Sequence, residues 1–388
     1  MSGDIPERAL ELRSLVTGQA TVQVSLEAAD VPVPGPDQVL IRMGAAPLNP
    51  SDLGLLFAGA DLTNAAGGGT AGRPVITAPL PAPAARAAAA RVGQSLPVGN
   101  EGAGTVVATG SSAAASRLLG KIVAVAGGGM YTQYRCMDAA ACLPLPDGVN
   151  AVAGAASFVN PMTVLGMVET MRDEGHAALI HTAAASNLGQ MLNRLCIEDG
   201  IPLISIVRSP EQVKLLTDQG ATHVLDSTTE PFAGDLTTAI AETSATIAFD
   251  AIGGGGLASR ILACMEAALS AGSPYNRYGS SVHKQVYIYG TLDRRPTELA
   301  RNYGFAWGVS GWLLTPFLAK AGPARIGAMR GRVAAGLTTT FASSYAGQLS
   351  LVQALQPDAV AGYARMATGT KYVIVPNGGA AAEQLSSP

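Results

Sequence analysis

Between Ala177 and Asp226 the chain reads AALIHTAAASNLGQMLNRLCIEDGIPLISIVRSPEQVKLLTDQGATHVLD. Ala178–His181 is a short apolar run of the kind that forms a buried strand. Thr182–Gly189 is built almost wholly of small residues, and Gln190–Asp199 carries Met191, Leu192, Leu195 and Cys196 at helical spacing. Pro202–Val207 is apolar and β-branched again. Strand, tight turn, helix, strand is the βαβ unit whose turn receives a dinucleotide pyrophosphate. Small residues let the backbone approach the phosphates, and the following helix offers N–H groups and the positive end of its dipole.

The alternation continues downstream. Thr246–Ile252 reads as a strand ending in GGGG, Leu257–Leu269 as a helix, and Gln285–Tyr289 as a strand ending in GTL. Strands and helices in turn, with glycine at the carboxyl ends of strands, predict a doubly wound parallel sheet. Upstream the character differs. Thr21–Leu26 and Gln38–Met43 are β-like runs split by VPVPGPD, and Asn49-Pro50 stops the second. Ser51 or Asp52 is placed to cap a short apolar helix through Phe57. Gly99–Gly110 and Lys121–Val125 add strands, so this first region reads as an irregular β domain. Between them, Ala60–Val98 is rich in Pro, Gly and Ala and is expected to be mostly loop, with a helix near Ala84–Val92. A lid over a cleft and a surface decoration are equal expectations for it. At Phe158 the pattern changes, and a helix starts after Asn160-Pro161.

A chain of 388 residues has room for two domains. Charged residues make up 14% and hydrophobic ones 48%, which places it with globular proteins. A net charge of −3 and scattered basic residues give no footprint for nucleic acid or an anionic membrane. Apolar stretches break before the ~18 residues that suggest a membrane span, so no membrane partner is expected. The opening MSGDIPERALELRSL mixes acids with bases and has no apolar core of a leader, and a cytoplasmic location is the expectation. Cys136, Cys142, Cys196 and Cys264 show no paired spacing, and the four histidines never fall three or four apart. No metal site is legible.

Six segments in order carry a resemblance: APLNPSDL (Ala46–Leu53), GNEGAGTVVATG (Gly99–Gly110), NPMT (Asn160–Thr163), AAASNLGQ (Ala183–Gln190), FDAIGG (Phe249–Gly254) and YGTL (Tyr289–Leu292). Together they resemble the medium-chain dehydrogenase/reductase superfamily, in its zinc-free quinone oxidoreductase and enoyl reductase branches. The resemblance implies an α/β fold: a Rossmann domain over residues 159–314, and a β-rich GroES-like catalytic domain from 1–158 and 315–388. It implies an active site in the cleft between them and a homodimer. Zinc-dependent relatives carry Cys and His where this chain has Asn49-Pro50-Ser51 and Asn100, and Ala60–Val98 holds no Cys for a structural zinc lobe. The expectation is therefore no metal.

The expected cofactor is NADPH. In the turn, the three glycine-fingerprint positions are Ala184, Ser186 and Gly189, with Ser186, Asn187 and Leu188 opening the helix. An NAD site ends its second strand with Asp or Glu for the ribose hydroxyls, whereas this chain has Arg208 and Ser209, with Lys214 beyond. A guanidinium beside a hydroxyl suits a 2′-phosphate. By resemblance, Thr163 approaches the nicotinamide, and Gly253, Gly254 and the Tyr289-Gly290-Thr291 turn pass under the ribose. Lys371, before the last strand, joins the cofactor set in the same way.

Hydride transfer to a quinone or an α,β-unsaturated carbonyl also requires a proton and a group to polarise the oxygen. Related enoyl reductases use a tyrosine shortly after NPSD, and here Ala60 stands in that place. Asn49 and either Tyr131 or Tyr289 are the remaining catalytic candidates, Asn49 as a donor to a substrate or nicotinamide oxygen. Gly304–Phe317 concentrates aromatics in a chain with 5% of them, and reads either as the wall of a small-molecule pocket or as a subunit interface. An NADPH-dependent quinone or enone reductase leads. An enoyl thioester reductase and a catalytically silent NADPH-binding scaffold or redox sensor are the alternatives.

Overall fold

A computed structural model describes residues 5–365 and 367–378 of the chain. It divides into two compact units, Met1–Val159 with Arg332–Pro388, and Asn160–Gly331. The expected boundaries lay at 158/159 and 314/315. The second division falls later, inside the helical stretch Leu314–Ala335, which is interrupted at Gly322 (φ 76°) just before Pro323. Residues 379–388 of the expected catalytic domain lie outside the described residues.

The first unit is β-rich. Thr21–Asp30 buries Val22, Val24 and Leu26 in strict alternation, as a half-buried strand must. It pairs antiparallel with Arg8–Val16 and with Arg73–Pro79, in a five-stranded sheet that Ala66–Thr70 and Ser95–Pro97 complete. The expectation that Ala60–Val98 is mostly loop is thereby corrected. Pro74, Ile76 and Ala78 alternate into the core, but Pro79 and the neighbouring glycines hide that period when composition alone is weighed. The helix in this interval runs over Ala82–Ala87, followed by a 3-10 turn at Ala89–Arg91. Arg73–Pro79 is thereby scaffold, while Ala66–Thr70 is exposed along its whole length.

The second sheet of this unit centres on Gln38–Pro47, paired with Glu101–Thr109 and Tyr134–Asp138. Tyr372–Ile374, from the far end of the chain, lies antiparallel to it, placing Val373 opposite Pro47 and Ile374 opposite Ala46.

The second unit holds six parallel strands. In chain order they are Leu179–Thr182, Leu203–Val207, His223–Asp226, Ile247–Asp250, Lys284–Ile288 and Trp307–Gly311. Their spatial order is 3-2-1-4-5-6, the doubly wound arrangement. All five residues of Leu203–Val207 are buried, which is why that strand reads as an unbroken apolar run. Strand order reverses between Leu179–Thr182 and Ile247–Asp250, and a crevice for a ligand forms beyond the carboxyl ends of such a pair.

The stretch Ala151–Asp173 is longer and more apolar than expected, with a mean hydropathy of 1.5, and 72% of its apolar window is buried. Gly154, Pro161 and Gly166 only dilute its hydropathy without breaking it. By length and composition alone it resembles a membrane span, and a buried core helix has the same character.

Candidate active site

The Rossmann turn is built by close approach. Ala183 sits in the left-handed region at φ 50°, which reverses the chain after the first strand. A Cβ on Gly189 would lie 2.2 Å from the Ala184 carbonyl oxygen, so only glycine fits there. Ser186 caps the helix Asn187–Asp199, its Oγ accepting the Gly189 N–H at 3.1 Å, and Gly200 ends it in the left-handed region. Asn187 Oδ1 accepts from Asn160 Nδ2 at 3.3 Å, and Leu188 is half-buried at the helix start.

At the end of the second strand, Arg208 is exposed, and its backbone N–H donates to Gln212 Oε1. Ser209 caps the helix Pro210–Asp218. Lys214, expected near the same site, is paired on the surface with Asp218 at 2.8 Å, one turn further along its helix. An exposed pair of this kind is weak and exchanges readily.

Asp250, inside the FDAIGG segment but not singled out as a site residue, organises the opposite side of the crevice. It is buried and accepts from Thr182 Oγ1 at 2.7 Å, the Ile252 N–H at 2.9 Å and the Gly253 N–H at 3.1 Å. A Cβ on Gly253 would meet Gly290 O at 2.7 Å, on Gly254 Arg295 O at 2.6 Å, and on Gly290 Ala251 O at 2.5 Å. These glycines therefore pack the two loops against each other. Tyr289 shares a 2.7 Å hydrogen bond with His181 Nε2, Thr163 is buried on the helix Val159–Asp173, and Thr291 is exposed. Burial holds His181 down to a pKa of about 3, so the ring is neutral.

Part of the aromatic segment is a strand, Trp307–Gly311, and part lines a cavity of about 840 Å³ with Tyr287, Tyr289, Trp312 and Phe317. Trp312 Nε1 donates to Thr170 Oγ1 at 3.1 Å, which fixes the indole.

The first unit contributes a buried polar cluster. Asn49, rather than Ser51 or Asp52, occupies the cap position of the helix Pro50–Phe57. Asp52 reaches back instead: Oδ2 accepts the Asn49 N–H and Oδ1 the Asn100 N–H, each at 2.8 Å. Glu101 accepts from Asn49 Nδ2 at 2.8 Å on one oxygen, and from the Phe158 and Val159 N–H groups at 2.8 Å on the other. Burial pushes Asp52 up to about 7 against its two backbone donors, and burial likewise raises Glu101.

Lys371 completes the group. Its Nζ is buried without a hydrogen-bond partner, 5.7 Å from the Tyr345 ring centre, and burial lowers its pKa to about 8 despite the Glu101 and Asp52 charges. Asn49 Oδ1 and the Tyr345 hydroxyl are also buried and unpartnered. Glu101 takes one of the two amide N–H groups of Asn49, and Asn49 Oδ1 is left without a donor. Tyr131 is corrected. It is wholly buried, its hydroxyl donates to Pro47 O at 2.9 Å beside Asp52, and a Cβ on Gly99 would strike its ring. It packs the domain core and offers no free donor.

A signal for Glu101 was present, an acid inside the otherwise apolar GNEGAGTVVATG strand. Tyr345 had none. Among the described residues, no three or more His, Cys, Asp or Glu side chains are grouped to hold a metal ion.

Residues 35–147 match the alcohol dehydrogenase GroES-like domain. Over nearly its whole length the chain superposes on a Mesorhizobium loti protein proposed to be an NADPH:quinone reductase. The two are 28% identical with a TM-score of 0.71, covering 96% of this chain and 100% of that one. The chain has the fold of the medium-chain dehydrogenase/reductase superfamily, quinone oxidoreductase and enoyl reductase branch. Curated relatives in this branch match over shorter stretches. The mitochondrial enoyl-[acyl-carrier-protein] reductase of Xenopus tropicalis is 28% identical over 231 residues, 57% of this chain and 57% of that protein. A quinone oxidoreductase of Pseudomonas aeruginosa is 30% identical over 132 residues, 33% of this chain and 40% of that protein. The matched stretches thus span about half, or less, of these relatives' length.

Proposed function

We propose that this chain is an NADPH-dependent reductase of a quinone or an α,β-unsaturated carbonyl compound. The observation that carries the reading is the crevice of the parallel sheet. It has a turn in which only glycine fits at 189, a capped helix behind it, and an exposed Arg208 at the end of the second strand.

These residues fit a dinucleotide phosphate. The Ala183–Gly189 turn and the start of the helix Asn187–Asp199 would hold the pyrophosphate, and Arg208 with Ser209 the 2′-phosphate. Bound there, a reduced nicotinamide supplies hydride. The protein's own share is to orient the acceptor, exclude water and provide a proton. The named activities of the Mesorhizobium and Pseudomonas proteins support this substrate class.

Similarity to the enoyl-[acyl-carrier-protein] reductase supports an enoyl thioester as the second reading. Ala60 in place of that branch's tyrosine weighs against it.

The test is to mix the purified protein with NADPH or NADH and a panel of quinones, enones and enoyl-CoA thioesters, following the absorbance of the reduced nicotinamide. Turnover on quinones or enones with NADPH preferred is the expected result. Tight NADPH binding without turnover on any class would replace the reductase with a nucleotide-binding scaffold.

A further inference from the structure

We propose that the second unit holds an internal water site, bounded by His181, Asn193, Ser205 and Gln219, between its first two strands and the helices that cover them. The site lies wholly within this unit and does not depend on the reductase reading.

Its basis is a set of polar atoms that share one layer. His181 Nδ1, Asn193 Nδ2, Ser205 Oγ and Gln219 Oε1 are all buried without a hydrogen-bond partner. His181 is the partner of Ser205 in the parallel ladder, so the two side chains stand side by side on one face of the sheet. Alternation along the strands identifies that face. Ile180, Ile204 and Ile206 pack against the helices Phe232–Thr243 and Leu257–Ser270. Val207, in step with Ser205, packs on the opposite side against Leu216 of the helix Pro210–Asp218. Gln219 ends that helix, and its Nε2 donates to Gln190 Oε1 at 2.8 Å. Gln190 lies one turn before Asn193 on the helix Asn187–Asp199, which packs on the strand Leu203–Val207. Register and helical phase thus bring all four side chains into the same layer.

Their valences match one ligand chemistry. Burial holds the His181 ring neutral, so it carries a single N–H. Burial also keeps the Tyr289 phenol protonated, and among the described residues the hydroxyl's partner is His181 Nε2, at 2.7 Å. The phenol therefore donates to Nε2, and the ring proton sits on Nδ1. The layer then presents two donors, His181 Nδ1–H and the Asn193 amide, and two acceptors, Ser205 Oγ and Gln219 Oε1. Water accepts two hydrogen bonds and donates two, and buried waters are held by sets of this kind. An ion would meet donors and acceptors together and no opposing charge. An apolar filling would strand all four atoms at the cost of burying each unpaired.

The site also ties the sheet to the small-residue turn. Gln190 Nε2 donates to Ala185 O at 2.9 Å, inside the stretch Ala183–Gly189. Hydrogen bonds then run from Tyr289 through His181 and the water to Gln219, Gln190 and that turn.

Two measurements test this on the full chain. A high-resolution crystal structure should show water density bonded to His181 Nδ1 and to the facing atoms of Asn193, Ser205 and Gln219. The second compares S205T with S205V, which have the same shape and differ in the hydroxyl, so that packing changes cancel. With water present, S205V loses a partner that S205T keeps, and its unfolding equilibrium constant in urea should be larger by about 2–10-fold, the worth of one hydrogen bond. A layer without water density would overturn the proposal, and so would an S205V protein as stable as S205T or more so.

Discussion

Lys284 and Lys371 are both lysines with buried ammonium groups, one in each unit, and their surroundings differ in kind. Lys284 has no exposed surface. Its Nζ is 2.8 Å from Glu266 Oε2 and donates to Val282 O at 3.2 Å. The other Glu266 oxygen accepts from Ser270 Oγ at 2.7 Å and the Ser280 N–H at 2.8 Å. This clasp ties the end of the helix Leu257–Ser270 to the strand Lys284–Ile288 across the intervening loop. Lys371 has two carboxylates nearby but none in hydrogen-bonding contact. A buried charge that is paired and hydrogen-bonded specifies structure, and one without a hydrogen-bond acceptor is a cost that the fold carries.

The largest expected effect is on stability. K284M should cost about 3–5 kcal/mol in urea unfolding, because it strands Glu266 as an uncompensated buried charge. K371M should instead raise stability at neutral pH, because it removes an ammonium that burial lowers from 10.5 to about 8. Equal costs for the two would erase the distinction between clasp and open site.

The pH dependence of stability sharpens it further. Asp52 is raised by burial from its ordinary 3.8 to about 7, so its contribution is complete below pH 3.8 and is lost as pH rises through 7. Lys371 is lowered by burial from 10.5 to about 8, so its contribution grows as pH climbs from 8 toward 10.5. Stability should therefore pass through a minimum between pH 7 and 8. D52N should flatten the acid side by up to a few kcal/mol, on the order of 1.4 kcal/mol for each tenfold change in proton affinity that the substitution abolishes. A D52N protein whose stability falls with pH as steeply as the wild type's would place that titration elsewhere.

Arg208 supplies the third case, an exposed cation whose guanidinium serves neither the clasp nor the open cluster. R208E should leave unfolding unchanged while weakening NADPH relative to NADH by about 10–100-fold, the worth of a charge-assisted hydrogen bond of about 1.5–3 kcal/mol. Fluorescence titration with both nucleotides checks it, and an unaltered preference would remove Arg208 from the phosphate site.

The doubly wound unit was legible because its signals are local: an apolar strand, a turn of small residues and a helical period within one 50-residue window. The same locality exposed Ser186, Gly189 and Arg208. Ala60–Val98 was misread because proline and glycine masked a period-two strand at Arg73–Pro79. The open cluster was legible only in fragments. Asn49, Asp52, Glu101, Tyr345 and Lys371 come from distant segments of the chain, and the linear order of residues cannot show that Glu101 takes one amide N–H of Asn49. Tyr131 failed as a candidate for the complementary reason, since nothing local reveals that its hydroxyl reaches Pro47.

The most direct measurement is the titration of Lys371 in the cofactor-free protein, by NMR of side-chain-labelled lysine with K371R to assign the resonance. One lysine with a midpoint near pH 8, missing from K371R, is the expected result. A Lys371 that titrates with the ordinary surface lysines, near about 10.4, would contradict it.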